Sequence, residues 1–206
     1  MPVSGLSVEA VTIERGGRVV IDGLSFSVGA GDVLVLTGPN GVGKTTLIRA
    51  LAGILPPTSG SIQVVGTNDD QQLASLCHYV GHRDAIKPKL TVTENIAFWA
   101  EYLGGSAAST DAALDAVGLL GLAEIPAAYL SAGQKRRLGL ARLLSAPRPI
   151  WLLDEPTTSL DAEHQRQFAG LIEQHRAAGG MVIAATHMDL GLPDARSLQL
   201  TARGTA

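Results

Sequence analysis

Residues 32–45 read Asp-Val-Leu-Val-Leu-Thr-Gly-Pro-Asn-Gly-Val-Gly-Lys-Thr, and the fold class follows from them. The apolar run within residues 32–37 does not alternate with polar residues, which is typical of a strand buried on both faces of a parallel sheet. Apolar residues then recur at helical spacing over residues 47–54. A glycine-rich turn between such a strand and a helix predicts an α/β fold that binds phosphate groups.

The turn at residues 38–45 fits the pattern G-x-x-x-x-G-K-[ST]. Glycine has no Cβ, so backbone N–H groups there can point inward around phosphate oxygens, and the helix that opens at Lys44 directs its positive end at the same anion. We expect Lys44 to reach the β- and γ-phosphates of a nucleoside triphosphate and the Thr45 hydroxyl to bind Mg²⁺. The predicted nucleotide-binding residues are Gly38, Pro39, Asn40, Gly41, Val42, Gly43, Lys44, Thr45 and Thr46.

A second motif, Ile-Trp-Leu-Leu-Asp-Glu-Pro at residues 150–156, is an apolar strand that ends in two acids. A carboxylate at the carboxyl end of such a strand lies beside the phosphate loop, so Asp154 is predicted to hold Mg²⁺ together with Thr45. Glu155 then points toward the attacking water and can orient it or take its proton. A strand that merely ends in solvated acids is the alternative, and its combination with the phosphate loop favours the catalytic interpretation.

The composition excludes several classes of function. Lys and Arg number 16 against 19 Asp and Glu, a net charge of −3, so we expect no nucleic acid as partner. Cys77 is the only cysteine, which excludes an intrachain disulfide and a four-thiolate metal site and favours a reducing compartment. We expect its thiol to be buried at the end of a strand. No apolar run approaches the roughly 18 residues of a membrane-spanning helix.

The N-terminal segment at residues 6–28 alternates apolar and polar residues and is interrupted by Gly16-Gly17 and by Asp22-Gly23. This pattern predicts antiparallel strands joined by tight turns at these two dipeptides. Residues 60–66 predict a further strand.

The C-terminal half predicts a strand–helix–strand unit of a parallel sheet at residues 149–153, 161–177 and 181–186. Between the two halves, residues 83–146 have a helical pattern. We therefore expect one domain over residues 1–206, with an α/β core, an antiparallel β subdomain and an inserted helical subdomain at about 83–146.

Three further motifs select a family. Leu130-Ser131-Ala132-Gly133-Gln134 opens a helix upstream of the acidic pair, Ser159-Leu160-Asp161 follows that pair, and His187 follows the strand at residues 181–186. This order resembles the ATP-binding cassette (ABC) family over residues 1 to about 190. The signature of that family is Leu-Ser-Gly-Gly-Gln, and this chain has Ala132 at the third position.

The resemblance implies an ABC-type ATPase, with a nucleotide-binding domain of the phosphate-loop class, that uses ATP and Mg²⁺. It implies that a second ATP-binding chain joins head to tail when ATP binds, and that the signature contacts the γ-phosphate held by that copy. Glu155 and His187 would be catalytic, with His187 contacting the γ-phosphate, and Asp161 would belong to the D-loop. The signature residues that would act in trans are Ser131, Ala132, Gly133 and Gln134.

Two positions depart from the family pattern. Where the family has an aromatic residue that stacks on adenine, this chain has Arg15, whose guanidinium either stacks on the base or is solvated. Where the family has a glutamine that contacts Mg²⁺ and the transmembrane partner, this chain has Gly81-His82. His82 is either a residue of the coupling loop or a surface histidine, and a direct contact with Mg²⁺ does not suit it because Mg²⁺ prefers oxygen ligands.

Gly81-His82, Ala132 and the stretch at residues 86–95 together resemble the ATP-binding subunits of cytochrome c maturation complexes. This resemblance implies a peripheral subunit on the cytoplasmic face of the bacterial inner membrane, bound to integral membrane subunits. Its hydrolysis of ATP would drive haem export or delivery. No Cys-x-x-Cys-His motif is present, so we expect that this chain does not bind haem directly.

Two other functions remain open: the ATPase of another small ABC exporter, and a soluble ABC ATPase without a role in transport. The basic run Lys135-Arg136-Arg137 is interpreted as a solvated or partner-facing surface of the helix that follows the signature.

Overall fold

A computed structural model describes residues 3–66, 73–106 and 109–201. Its strands are β1 (Gly5–Arg15), β2 (Arg18–Gly29), β3 (Val33–Thr37), β4 (Ser59–Val65), β5 (Cys77–Val80), β6 (Ile150–Asp154), β7 (Met181–Ala185) and β8 (Arg196–Gln199). They form an antiparallel sheet in the order β2-β1-β4 and a parallel sheet in the order β5-β6-β7-β3-β8. This is the predicted fold class, an α/β core with an antiparallel sheet.

Six α-helices occur in the described part of the chain. They are α1 (Lys44–Leu51), α2 (Leu73–Leu76), α3 (Val92–Tyr102), α4 (Thr110–Ala116), α5 (Ala132–Ala141) and α6 (Ala162–Ala177). Short 3₁₀ turns lie at Leu120–Leu122, Ala127–Tyr129 and Arg142–Leu144. Among the described residues, no helix is long and apolar enough to cross a membrane.

Strands β6 and β7 of the parallel sheet are buried on both faces, because apolar clusters cover each side. In β6, Ile150 and Leu152 contact the core beneath α1 and the antiparallel sheet, whereas Trp151 and Leu153 contact the core beneath α6. This alternation is the two-residue period of a strand. A third apolar cluster holds α3, α4 and α5 together.

All five strands of this sheet run in the same direction, so their carboxyl ends meet at one edge. In the register of the central strands, Ala185 at the end of β7 lies beside both Asp154 of β6 and Leu36 of β3. The loops that leave β3, β6 and β7 therefore start side by side, and this edge is where ligands bind in open α/β sheets.

The turn prediction for the N-terminal strands is correct at one of the two glycine-containing sites. Gly16-Gly17 forms the turn between β1 and β2, but Asp22-Gly23 lies inside β2. Gly23 has a φ of +58°, and its N–H donates to Thr12 Oγ1 at 3.1 Å, where the register with β1 shifts. The glycine thus makes an irregularity in a continuous ladder, and the strand does not end there.

His78 of β5 lies in the core and is 2% exposed. Its Nε2 is 2.7 Å from the carbonyl oxygen of Ala146, and the residue pairs with Trp151 of β6 in the strand register. Burial lowers the pKa of His78 to about 4, and the nearby Arg148 and Arg142 cations act in the same direction. The folded protein therefore holds this imidazole in its neutral form.

We predict that His78 makes the protein sensitive to acid. A histidine whose pKa is lower in the folded than in the unfolded chain stabilises the fold above pH 6.5 and loses that contribution as the pH falls toward 4. Between pH 7 and pH 5 this group accounts for about 2 kcal/mol of the lost unfolding free energy. His78→Gln keeps a nitrogen donor but does not titrate, so urea unfolding at the two pH values should show a smaller loss. An equal loss in both proteins would contradict the assignment.

Candidate active site

The phosphate loop, residues 38–45, leaves β3 at the carboxyl edge of the sheet, and its glycines are required by space as well as by conformation. Gly38 has a φ of +129° and Gly43 a φ of +115°. A Cβ on Gly38 would lie 2.4 Å from the carbonyl oxygen of Leu200, and one on Gly43 would lie 2.8 Å from Cγ1 of Val20. No side chain fits at either position, so the backbone itself lines the loop.

Helix α1 begins at Lys44, and no side chain caps its N-terminus at Gly43. Its first N–H groups are therefore open to an anion. The Lys44 ammonium lies at the centre of the loop, where Nζ donates to the carbonyl oxygens of Gly38 at 2.7 Å and Pro39 at 3.1 Å. A buried cation and a helix N-terminus that face the same space make a phosphate-binding site.

Thr45 and Asp154 meet across the cleft at the end of β6, where Thr45 Oγ1 donates to Asp154 Oδ1 at 3.0 Å. A hydroxyl and a carboxylate are ligands that suit Mg²⁺. Within the described residues, no group of three or more His, Cys, Asp or Glu side chains could hold a metal ion. An ion at this position would therefore depend on oxygens of a bound nucleotide as well as on these two residues.

The cleft has a volume of about 250 Å³. The residues that line it are Asn40, Gly41, Gly43, Lys44, Thr45, Thr46, Asp154 and Glu155. All eight were predicted from the sequence as nucleotide-binding, metal-binding or catalytic residues. The structure thus brings the phosphate loop and the acidic pair into one cavity.

Glu155 and His187 approach each other at the mouth of this cleft. Glu155 has a φ of +50°, and its N–H donates to the carbonyl oxygen of Ala185 at 2.7 Å. His187 follows β7, and its Nε2 is 3.6 Å from Glu155 Oε1 and 2.7 Å from Asn40 Oδ1. Nε2 is also 3.3 Å from Lys44 Nζ, so one ring nitrogen faces three polar groups of the cleft.

Arg15 and His82 lie apart from this cluster. Arg15 is the exposed last residue of β1, beside the Gly16-Gly17 turn, and it does not line the cleft. His82 is exposed in the loop after β5. Its neighbours Gly81 and Arg83 line a different cavity of about 500 Å³.

The signature residues also lie outside the cleft. Ser131 caps α5, where its Oγ accepts from Gln134 N at 3.2 Å while Gln134 Oε1 accepts from Ser131 N at 2.8 Å. Ser131 and Ala132 are exposed. A Cβ on Gly133 would lie 2.9 Å from the carbonyl oxygen of Ser159, so this glycine allows α5 to contact residues 159–161, the predicted D-loop, of its own chain.

Asp161 ends that D-loop as the N-cap of α6. Its Oδ1 accepts from His164 N at 2.9 Å and lies 2.7 Å from His164 Nδ1. These hydrogen bonds lower the pKa of the Asp161 carboxyl. The residue therefore stays ionised and holds the start of α6 in place.

The interpretation of Lys135-Arg136-Arg137 as a solvated surface is wrong for Arg136. Its side chain is 4% exposed and donates to the backbone carbonyls of Asp154 and Glu155. Arg137 donates to the carbonyls of Val117 and Gly118. Helical spacing could have revealed this, because Arg136 lies on the same face of α5 as the apolar Leu140.

Residues 21–158 match the ABC transporter family. The chain is 53% identical over 197 residues to the cytochrome c biogenesis ATP-binding export protein CcmA of Rhodopseudomonas palustris strain BisB5, which covers 96% of this chain and 98% of that protein. It is 51% identical over 195 residues to the CcmA protein of Paracoccus denitrificans strain Pd 1222, which covers 95% of this chain and 88% of that one.

Solved structures show the same fold. A bacterial Atm1-family ABC exporter with ATP bound matches 98% of this chain and 37% of that chain, with 26% identity and a TM-score of 0.83. A Pyrococcus furiosus protein described as a putative ABC transporter ATP-binding protein matches 96% of this chain and 98% of that chain, with 23% identity and a TM-score of 0.81. The chain therefore belongs to the ABC transporter family and, within it, to the CcmA family of cytochrome c biogenesis ATP-binding export proteins.

Proposed function

We propose that this chain is the ATP-hydrolysing subunit of a cytochrome c maturation complex and couples hydrolysis to haem export or delivery across the bacterial inner membrane. The observation that carries the proposal is the cleft itself. Lys44, the Thr45–Asp154 pair and Glu155 share one cavity, with His187 at its mouth. The process, cytochrome c biogenesis, is inferred from the names of the similar proteins.

In the proposed reaction, Lys44 and the N-terminus of α1 bind the β- and γ-phosphates of ATP. Thr45 and Asp154 would hold Mg²⁺, which when bound neutralises charge on those phosphates. Glu155 orients a water molecule and accepts its proton as the oxygen attacks the γ-phosphorus and the bond to ADP breaks. His187 donates from Nε2 to a γ-phosphate oxygen and gives up its contact with Asn40.

We propose that a second copy of the chain completes each site, head to tail. The exposed N-terminus of α5 supports this, because Ser131 and Ala132 face solvent and lie outside the cleft of their own chain. Ser131, Ala132, Gly133 and Gln134 would close over the γ-phosphate that the other copy holds. Asp161 would lie at the same interface, since Gly133 already contacts the D-loop backbone.

We further propose that the cavity of about 500 Å³ beside β5, which we call the groove, receives a cytoplasmic segment of the integral membrane subunits. This contact would place the chain peripherally at the cytoplasmic face of the inner membrane. Trp99 and Tyr102 of α3 form one wall, and Tyr102 is 71% exposed. Three arginines and no carboxylate are among the described residues that line the groove: Arg83, Arg142 and Arg148. Such a surface suits a segment with apolar and acidic side chains. The exposed His82 beside the groove is then a coupling-loop residue.

The other proposed roles follow from the same arrangement. The chain acts as one domain over residues 1–206, in which the helical subdomain at about 83–146 carries both the signature and α3. Arg15, exposed at the end of β1, is proposed to contact the nucleotide base. Haem is held by other subunits.

Glu155→Gln tests the catalytic assignment. The amide cannot accept the proton of water, so we expect kcat to fall about 100-fold or more while ATP still binds. The trapped ATP should produce a stable dimer in size-exclusion chromatography with light scattering. Glu163→Gln, an exposed acid at the start of α6, is the control and should hydrolyse ATP normally. Undiminished turnover of the Glu155 variant would contradict the mechanism.

Arg83→Glu tests the membrane partner. Reversing this exposed charge should weaken co-purification with the integral membrane subunits from detergent-solubilised membranes about 10-fold. Arg166→Glu makes the same change on the exposed face of α6 and should leave co-purification intact.

The haem content of the recovered complex is measured by its absorbance in the same experiment. If Arg83→Glu and Arg166→Glu recovered equal amounts of the membrane subunits, the groove would not be the docking site. Recovery of the unaltered chain with a different membrane protein and without haem would indicate another small ABC exporter. Recovery without any membrane protein would indicate a non-transport ATPase.

A further inference from the structure

Arg136 is buried in α5, on the face turned toward the parallel sheet. All five N–H donors of its guanidinium have a partner: Nε donates to Pro156 O at 2.9 Å, Nη1 to Gly81 O at 3.0 Å and Asp84 Oδ1 at 2.6 Å, and Nη2 to Asp154 O at 3.1 Å and Glu155 O at 2.7 Å. A guanidinium offers five donors in a fixed plane, and here one side chain joins two separate segments. The reaction proposed above assigns no role to the Arg136 guanidinium.

The first of these segments is the turn at residues 154–156, which we call the catalytic turn because it carries Glu155. Three successive carbonyls, those of Asp154, Glu155 and Pro156, accept from Arg136. Glu155 has a φ of +50°, a conformation that a residue with a Cβ adopts only when its surroundings enforce it. Its N–H donates to the carbonyl oxygen of Ala185, and its C=O accepts from Arg136 Nη2 at 2.7 Å and more weakly from Thr158 N at 3.3 Å, so both ends of this strained residue are fixed. The direction of the Glu155 carboxylate therefore depends on the guanidinium.

The second segment is the loop between β5 and α3. Gly81 and Asp84 of this loop bind Arg136, while Gly81 and Arg83 line the 500 Å³ groove. Helix α5 makes room for the loop, because a Cβ on Gly139 would lie 3.0 Å from Cβ of Asp84. Glycine inside a helix costs about 1 kcal/mol relative to alanine. The close approach of Asp84 to α5 is thus a built feature of the fold.

We propose that Arg136 is a positioning residue that transmits the occupancy of the groove to Glu155. The proposal rests on the proposed function, in which a membrane subunit fills that groove. A segment that displaces residues 81–84 shifts Asp84 and Gly81, and because the guanidinium is planar and fully paired, the three carbonyls of the catalytic turn shift with it. The membrane subunits thereby set the orientation of the catalytic carboxylate.

Arg136→Lys tests the positioning role in the isolated chain. Lysine keeps the charge beside Asp84 but cannot hold three carbonyls of the turn at once. We expect kcat to fall about 10- to 100-fold, the loss that a misplaced catalytic group produces, while the Kd for ATP changes less than about 3-fold. Arg137→Lys, one residue along the same helix, should leave both constants unchanged. An unchanged kcat for Arg136→Lys, or parallel losses of kcat, ATP affinity and Tm, would overturn the proposal.

Asp84→Asn tests transmission in the assembled complex with its membrane subunits. The neutral amide weakens the link between the loop and Arg136, so the ratio of turnover in the complex to turnover of the isolated chain should fall about 5-fold. In a double-mutant cycle, adding Arg136→Lys should reduce this ratio no further. Additive losses, or an unchanged ratio in Asp84→Asn, would overturn the transmission role. Failure of the unaltered chain to bind membrane subunits would instead contradict the proposed function. The comparison of Arg136→Lys with Arg137→Lys in the isolated chain would still test the positioning role.

Discussion

The active site of this ATPase depends on one constraint, the parallel register of β3, β6 and β7. Because these strands run in the same direction, the loops that follow them start from one edge of the sheet. Thr45 and Asp154 are 109 residues apart in the chain and share a hydrogen bond, and Lys44 lies beside His187 across 143 residues. The apolar strands provide the burial that keeps this register, and polar residues that follow them line the cleft.

The polar groups in and behind the cleft are held by backbone as much as by side chains. Lys44 binds the carbonyls of its own loop, Glu155 is fixed through its peptide groups, and Arg136 spends four of its five hydrogen bonds on carbonyl oxygens. Carbonyl oxygens are fixed by the sheet and its turns, so these side chains have little freedom to reorient. Such preorganisation is what stabilises charge in a phosphoryl-transfer transition state.

Much of this architecture can be predicted from the sequence. The glycine-rich loop and the buried strands β3, β6 and β7 have strong local patterns, and each of these strands leads directly to residues in the cleft or at its mouth. Sequence patterns fail to predict the features whose conformation or burial is determined by tertiary contacts. Strands β5 and β8 have four residues each, too few to show a period, and they lie at the edges of the sheet. Asp22-Gly23 is typical of a turn, but the pairing with β1 keeps the strand continuous. The basic run at residues 135–137 is typical of a solvated surface. The spacing of Arg136 and Leu140 indicates a buried face, but the partners of Arg136, which are 18 to 55 residues away along the chain, cannot be predicted from that spacing.

We propose that two copies of the chain share each catalytic site, with the phosphate loop coming from one copy and the signature from the other. Mixing two inactive variants tests it most directly. Lys44→Ala removes the phosphate contact and Ser131→Arg blocks the signature, so each variant alone should show almost no turnover in the assembled complex. Random pairing of the two should restore about a quarter of the catalytic sites, because half of the dimers are mixed and each of these has one intact site. ATPase activity near a quarter of that of the unaltered protein is the predicted result, and a mixture as inactive as its components would contradict the account.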